Sequence, residues 1–230
     1  MANTAWEIWK ARCRNVFENI KPNTVDTIRS IQLLNESTGK KMLQIQTQDA
    51  MIVHNTSISW IPPASPYQSF CCDASFKIVN SIKYVGWGLI HRDFAGNFIH
   101  VRCEHANGVL SAAEAKFRGL LEALNVAEEL GAQFASFEID ARLVIQAVNE
   151  NTLSTTWENH SIISDIKHKL TMHPNWTCKY ISRKNNLPAD KLAKHARIHE
   201  VTKMWFDYPP SFIAGAIFED MANVVISTFN

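Results

Sequence analysis

Hydrophobic and polar positions are most regularly patterned between residues 67 and 199. Short apolar runs bounded by turns predict five strands, and apolar residues spaced three and four apart predict four helices. The predicted strands are 69–77, 84–91, 98–103, 134–140 and 176–182, and the predicted helices are 112–130, 141–149, 156–170 and 187–199. The apolar face of the longest helix consists of Ala113, Phe117, Leu120, Leu124 and Ala127.

The order of these elements predicts an α/β fold. The first three strands are joined by short turns, so they form an antiparallel meander. Strands alternate with helices in the second half, which favours parallel pairing through right-handed crossovers. We therefore expect a five-stranded mixed sheet flanked by helices, with the first strand central and next to the fourth. Gly86 and Gly88 in the second strand indicate that another element approaches its backbone closely.

The segments on either side predict two appendages. Residues 4–20 have helical periodicity, and a second helix is expected from Thr24. The apolar face of that second helix consists of Val25, Ile28, Ile31 and Leu34. Residues 60–66 contain three prolines, which is typical of a linker. The predicted regions are a helical N-terminal extension and linker at 1–66, a main domain at 67–199 and a C-terminal extension at 200–230.

Composition narrows the possible functions. The net charge of +1 excludes a globally basic protein, so any nucleic-acid surface must be local. The nine histidines show no H-E-x-x-H pattern, and zinc is not expected. Residues 1–20 lack the apolar core of a signal peptide, and Glu219 and Asp220 interrupt the apolar segment 212–229, which therefore cannot span a membrane. Five cysteines without C-x-x-C spacing predict reduced thiols in an intracellular protein. They are Cys13, Cys71, Cys72, Cys103 and Cys178.

One carboxylate, Asp73, lies in the middle of the first predicted strand. A carboxylate in a buried strand needs a partner such as a cation or a metal ion, because desolvation disfavours an isolated charge. The alternative is that Asp73 lies at the strand's end and caps a turn. The choice depends on whether the rest of the chain supplies partners.

Three further carboxylates are expected near the same edge of the sheet. Asp140 ends the fourth strand, where α/β sheets place functional groups, and Glu114 and Asp190 lie in the first turns of their helices. Each has a structural alternative. Glu114 can complete a capping box with Ser111, Asp140 can cap the following helix, and Asp190 can complement a helix dipole.

Four clustered carboxylates repel one another unless they bind cations or become protonated. Hard oxygen ligands with room for water suit Mg²⁺ or Mn²⁺. Two such ions about 3.5–4 Å apart would activate a water and stabilise the leaving oxygen of a phosphodiester. Glu138 shares a strand face with Asp140 and is the residue most easily mistaken for it if the predicted register is wrong.

The four acids lie within short motifs that occur in a fixed order. The motifs are Cys72-Asp73-Ala74-Ser75, Ala113-Glu114-Ala115, Glu138-Ile139-Asp140-Ala141 and the run 182–193, with a further match over 86–96. Together they resemble the ribonuclease H superfamily, and most closely the plant type 1-like ribonuclease H domains of non-LTR retroelement origin. The resemblance covers about residues 70–197.

This resemblance implies a sheet order of 3-2-1-4-5 and hydrolysis of the RNA strand of RNA–DNA hybrids with two Mg²⁺ ions, or Mn²⁺ in their place. The implied catalytic and metal-ligating acids are Asp73, Glu114, Asp140 and Asp190. Arg183 and Asn186 match the signature that precedes the last acid. Many members have a histidine where this chain has Tyr180, which predicts reduced turnover.

Substrate contacts are expected from the chemistry of RNA and phosphate. Ser75 can reach a 2′-hydroxyl, and Arg183, Lys184 and Asn186 are the other expected substrate-binding residues. Basic residues outnumber acids between 160 and 200, which predicts a local phosphate-binding surface, although a solvated helix face is the alternative for Lys191 and Lys194. The basic residues are Lys167, Lys169, Lys179, Arg183, Lys184, Lys191, Lys194 and Arg197.

Three functions are compatible with these features. The leading hypothesis is a Mg²⁺-dependent endonuclease acting on RNA–DNA hybrids. The alternative is a catalytically weak or inactive nucleic-acid-binding module domesticated from a retroelement, which Tyr180 favours. A third is an exonuclease or DNA-processing nuclease of the same superfamily. We expect an intracellular monomer that does not associate with membranes, without distinguishing nucleus from cytoplasm.

Overall fold

The computed structural model describes residues 21, 23–25, 28, 32, 60–150 and 156–227. The chain divides into two units, Met1–Ser57 and Ile58–Asn230. In the first unit Thr24, Val25, Ile28 and Gln32 are helical, in agreement with the helix predicted from Thr24. The helix predicted at 4–20 and the positions of Cys13, Ile31 and Leu34 lie outside the described residues.

The second unit is built on a mixed sheet of six strands within the described residues. They are β1 (Gln68–Val79), β2 (Ile82–Arg92), β3 (Phe98–Ala106), β4 (Ala135–Ile139), β5 (Trp176–Tyr180) and β6 (Lys203–Trp205). Their order is β5-β4-β1-β2-β3-β6. β1, β2, β3 and β6 pair antiparallel in that succession, and β4 pairs parallel with both β1 and β5. The predicted order of five strands is confirmed, but the predicted strand count is wrong because β6 adds a sixth.

The described part of this unit also contains five helices, the first of which comes after β3. They are α1 (Ala112–Glu129), α2 (Arg142–Asn149), α3 (His160–Met172), α4 (Leu187–His199) and α5 (Ser211–Ser227). The helix predicted from residue 156 begins later, because Trp157–Asn159 forms a 3₁₀ turn before α3. On α1 the predicted apolar face is displaced at its start, since Ala113 is exposed and Ala115 is buried.

The helices cover both faces of the sheet. On one face Phe70 of β1 and Phe137 of β4 pack with Phe117 and Leu120 of α1 and Ile166 of α3. On the other face α4 lies against β2, where a Cβ added at Gly88 would approach Leu192 Cβ to 2.5 Å and the Ala189 backbone oxygen to 2.7 Å. The close approach predicted from Gly86 and Gly88 is therefore that of helix α4.

The second face is completed by Trp60 and α5. Trp60 is only 1% exposed and packs with Ile90 of β2 and Ile213 and Ile217 of α5. The guanidinium of Arg92 lies 4.0 Å from the centre of its ring. The interpretation of Trp60 as part of a linker is wrong: although three prolines follow it, the indole is a core side chain. Helix α5 is an element that the sequence did not predict.

None of the described helices is long and apolar enough to cross a membrane.

Candidate active site

Asp73 and Asp140 come together at the end of β4. The parallel register pairs Cys71 with Glu138, so two residues further along it brings Asp73 opposite Asp140. Strand β4 ends at Ile139, whereas β1 continues to Val79. Asp73 is therefore in mid-strand, not at a turn, and its neighbour is the first residue beyond β4. The alternative that Asp73 caps a turn is wrong.

One lysine lies between these two carboxylates. Lys116 Nζ donates a hydrogen bond to Asp73 Oδ1 and a second to Asp140 Oδ1, the latter at 2.8 Å. Both aspartate side chains are almost fully buried, at 3% and 2% exposure, and the lysine side chain is 20% exposed. The buried charge of each aspartate thus has the cationic partner that its desolvation requires.

Lys116 was missed as a candidate site residue. Its position follows from the packing of α1 on β1 at Gly119, where an added Cβ would lie 3.5 Å from Ala74 Cβ and 3.6 Å from the Asp73 backbone oxygen. Lys116 precedes Gly119 by one helical turn on the same face. A signal was present in the sequence, because Lys116 has helical spacing to Leu120 and Ala123, which are both buried.

Burial and the shared lysine act in opposite directions on these acids. Burial raises the pKa of Asp73 to about 6, even though the charge of Lys116 lowers it. Burial also tends to raise the pKa of Asp140, but hydrogen bonds and charge from Lys116, followed by those of Arg183, outweigh it and the pKa is lowered. The pKa of Lys116 is raised because the attraction of Asp73 and Asp140 exceeds the effect of its burial. The site therefore favours a cation between the two aspartates.

Arg183 provides a second positive charge at Asp140. Its Nε lies 3.3 Å from Asp140 Oδ2, and its side chain is 86% exposed. The residue that caps α2 is Ala141, which offers no side-chain hydrogen bond to the helix. The alternative that Asp140 is the cap of this helix is therefore wrong. Its two oxygens instead accept from a half-buried lysine and a solvated arginine.

Glu114 and Asp190 have local partners of their own. Glu114 Oε2 accepts from the Leu110 backbone N–H at 2.7 Å, and Oε1 accepts from Arg118 Nε at 2.9 Å. The Glu114 backbone N–H donates to Ser111 Oγ at 3.1 Å, so the predicted cap at Ser111 is present. Asp190 Oδ2 accepts from Lys194 Nζ at 2.7 Å.

The four acids are thus not all joined in one contact cluster. The structure joins Asp73 and Asp140 through Lys116 and gives Glu114 and Asp190 separate cationic partners. Within the described residues, no group of three or more histidine, cysteine, aspartate or glutamate side chains is arranged to hold a metal ion. Two buried carboxylates that already share one cationic group nevertheless fit the chemistry of a hard divalent cation. The fit to a metal therefore rests on Asp73 and Asp140.

Comparison with known proteins gives this arrangement a family. Residues 72–196, just over half of the chain, match the model of the family described as reverse transcriptase-like. The chain belongs to this family. No curated protein matches the chain.

Solved structures show the fold of this reverse transcriptase-like domain. RNase H1 from the halophilic archaeon Halobacterium salinarum matches with a TM-score of 0.52 at 16% identity, over 59% of this chain and 99% of that one. LC11-RNase H1, isolated from compost, matches with a TM-score of 0.53 at 19% identity, over 58% and 97%. A foamy viral protease-reverse transcriptase, solved with dsDNA, matches with a TM-score of 0.52 at 20% identity, over 60% and 99%. The domain therefore has an RNase H-like fold.

The predicted substrate-binding residues of the reverse transcriptase-like domain differ in accessibility. Arg183 and Lys184 are exposed, and Ser75 is half-buried with its Oγ accepting from Arg197 Nε at 2.8 Å. Asn186 is fully buried, and its Nδ2 donates to the Cys72 backbone oxygen at 2.9 Å. In this arrangement Asn186 holds the start of α4 against β1 and does not offer its amide to a substrate.

Two other residues singled out by the sequence have definite surroundings. Tyr180 ends β5 and is partly exposed, with the guanidinium of Arg142 4.6 Å from its ring centre. Glu138, the residue that a wrong register would exchange for Asp140, is fully buried. Its Oε2 accepts from Trp60 Nε1 at 2.6 Å and from Cys71 Sγ at 2.9 Å, and Lys179 Nζ lies 2.8 Å from Oε1. Glu138 is therefore a structural residue of the domain.

Proposed function

We propose that this chain is a metal-dependent endonuclease that hydrolyses the RNA strand of RNA–DNA hybrids. The observation that carries the proposal is the convergence of Asp73 and Asp140, from neighbouring parallel strands, on one cation at the end of β4. The RNase H-like fold supports it, and LC11-RNase H1, a protein of this fold, has been crystallised with an RNA/DNA hybrid. The finer origin in a plant non-LTR retroelement stays a prediction.

Asp73 and Asp140 would hold the metal, with Glu114 and Asp190 as further ligands once their side chains leave Arg118 and Lys194. Bound Mg²⁺ would supply Lewis-acid polarisation of the phosphodiester and a water nucleophile at neutral pH. The chain itself holds the two aspartates close together on neighbouring strands of the sheet, and the charge of Lys116 favours their ionised forms. Exposed Arg183 lies beside Asp140, where its guanidinium can pair with a substrate phosphate.

Cleavage assays with the purified full-length chain test this proposal. A labelled RNA–DNA hybrid is incubated with Mg²⁺ or with EDTA, next to RNA duplex, DNA duplex and end-labelled single-stranded DNA. We expect Mg²⁺-dependent internal cleavage of the RNA strand of the hybrid and no cleavage by Asp73→Asn. Equal cleavage by wild type and Asp73→Asn contradicts the proposal, and shortening of single-stranded DNA from its ends would indicate an exonuclease instead.

The second candidate is a nucleic-acid-binding module without strong catalysis. The observation that favours it is the position of Lys116, whose ammonium already neutralises the two acids that a metal would need. Tyr180 also favours this candidate, because many ribonuclease H proteins have a histidine at that position. Hybrid binding in a mobility-shift assay, without Mg²⁺-dependent cleavage by the same preparation, would support this candidate over the first.

A further inference from the structure

Lys116 donates to both of the aspartates that would hold a metal. Its Nζ reaches Oδ1 of Asp73 and Oδ1 of Asp140, so one ammonium bridges the two carboxylates. The lysine belongs to α1 and the aspartates to β1 and the end of β4, so the bridge joins three elements. No other cation contacts both acids among the described residues.

An ammonium and a divalent ion cannot occupy this position together. Both need the facing carboxylate oxygens, and two positive centres a few ångströms apart repel each other strongly in a partly buried site. The lysine has a route away from the acids, because its side chain is 20% exposed and ends on a flexible four-carbon stem. Its departure leaves two buried carboxylates next to each other, a pair that attracts another cation.

We propose that Lys116 is an internal counter-cation that competes with the divalent metal for Asp73 and Asp140 and sets the metal concentration at which the site fills. This inference rests on the proposed function in so far as the metal site is the catalytic one. In the metal-free protein Lys116 stabilises the acid pair. When metal binds, the ammonium moves outward, towards the open side on which Arg183 is exposed and where the phosphates of a bound nucleic acid would lie.

The ion pair between Lys194 and Asp190 provides a matched control. Lys194 also pairs with a predicted ligand acid, at 2.7 Å, but its side chain is 53% exposed and it contacts Asp190 alone. Solvent screens such a pair, and neighbouring water replaces the lysine readily. Removal of Lys194 therefore changes metal affinity less than removal of Lys116, although each substitution deletes one positive charge.

Titration calorimetry with MgCl₂ or MnCl₂ on the full-length chain tests the inference, without any assay of cleavage. We expect Lys116→Met to bind the ion about tenfold or more tightly than wild type, because one nearby positive charge is removed. Lys194→Met is expected to change the affinity by about twofold or less. In EDTA, Lys116→Met should unfold at a lower temperature than wild type, and saturating Mg²⁺ should raise its unfolding temperature by more than it raises that of wild type.

The outcomes distinguish failure of this inference from failure of the proposed function. Equal or weaker metal binding by Lys116→Met, with hybrid cleavage by wild type, overturns the inference and leaves the nuclease proposal standing. Tighter binding by Lys116→Met, without cleavage by wild type, supports the inference and counts against a nuclease in the natural sequence. If Lys116→Met does not fold in EDTA, Lys116→Arg replaces it: a retained positive charge should keep wild-type metal affinity within about threefold, and a tenfold gain would overturn the inference.

Discussion

Glu138 and Asp140, two carboxylates near the end of β4, have different surroundings. Glu138 lies inside the strand, is fully buried, and accepts from the Trp60 indole and the Cys71 thiol. Asp140 lies one residue beyond the strand and pairs with Lys116 and Arg183. Trp60 covers the first carboxylate, whereas the guanidinium beside the second is largely in solvent.

The difference between them lies in whether their partners can leave. The indole of Trp60 is held by core packing, so Glu138 cannot exchange this donor without disruption of the hydrophobic layer around it. Lysine and arginine side chains are long and flexible, so Asp140 can exchange Lys116 or Arg183 for a metal ion or for water. A carboxylate with fixed donors stabilises the fold, and one with movable cations can take part in binding.

The first way to break this contrast is to remove the charge of Asp140. Asp140→Asn should lower hybrid cleavage by about 10³-fold or more, because one of the two converging ligands loses its negative charge. Its free energy of unfolding should fall by about 1–3 kcal/mol, because Lys116 and Arg183 lose a charged acceptor at a buried position, although Asp73 is relieved of a neighbouring charge. Initial cleavage rates and urea unfolding measure the two effects. Cleavage at the wild-type rate would exclude Asp140 from catalysis.

The second prediction concerns the buried cation on the Glu138 side. Arg92 is fully buried, lies over Trp60, and forms an ion pair with Asp220 of α5 at 2.9 Å. Arg92→Met leaves Asp220 without its cation, and we expect a loss of about 3–5 kcal/mol in the free energy of unfolding.

Urea unfolding next to a surface variant checks this prediction. Arg102 pairs with Glu104 at 3.2 Å and its side chain is 26% exposed, so Arg102→Met should cost about 1 kcal/mol or less. A loss for Arg92→Met no larger than that for Arg102→Met would show that α5 is not anchored by the buried ion pair.

The third prediction concerns removal of the buried carboxylate of Glu138, which should affect stability and not cleavage. Glu138→Leu leaves the Trp60 indole N–H and the Cys71 thiol without an acceptor in the core, which should cost about 2–4 kcal/mol. Cleavage per folded molecule should remain within about threefold of wild type, because Glu138 contacts Trp60, Cys71 and Lys179 and neither of the two converging aspartates. Chemical denaturation and active-site-normalised rates distinguish the two effects. A selective loss of activity in a fully stable Glu138→Leu protein would mean that the roles of Glu138 and Asp140 are reversed.

The features that sequence periodicity could predict are those set by local spacing. Asp73 and Asp140 were expected on neighbouring strands because the element order fixes β1 beside β4, and the register then aligns them. Gly88 was expected near another backbone because glycine within a strand often marks a close approach. Both predictions needed only the element order and the period of a strand.

The features that could not be predicted depend on distant partners. The aspartates that Lys116 contacts are 43 and 24 residues away, so its neighbours in sequence do not reveal its role. Trp60 lies in a proline-rich run with the composition of a linker, but its acceptor, Glu138, is 78 residues away. Asn186 matches a substrate-binding motif, yet it binds a backbone oxygen 114 residues away. β6 has only three residues, too few for a periodic pattern.

The pH dependence of metal binding tests whether Asp73 is a metal ligand. Since burial raises the pKa of Asp73 to about 6, protonation competes with metal as the pH falls through this value. About nine-tenths of the carboxyl is ionised at pH 7 and about one-tenth at pH 5, so Mn²⁺ affinity should fall roughly tenfold between them. Calorimetric titration at both pH values measures this change. Equal affinity at pH 7 and pH 5 would mean that Asp73 does not ligate the metal.

The smallest effect is expected at Lys179, a partly exposed cation that contacts Glu138. Lys179 Nζ lies 2.8 Å from Glu138 Oε1, but its side chain is 43% exposed. Lys179→Met should therefore lower the free energy of unfolding by only about 0.5–1 kcal/mol, because water can replace a half-exposed ammonium while Trp60 and Cys71 continue to donate. Urea unfolding of Lys179→Met, Glu138→Leu and the double variant measures how much of the carboxylate's contribution depends on this charge. A loss above about 2 kcal/mol for Lys179→Met alone would show that Glu138 relies on an exchangeable cation just as Asp140 does, and burial would then no longer separate the structural carboxylate from the functional one.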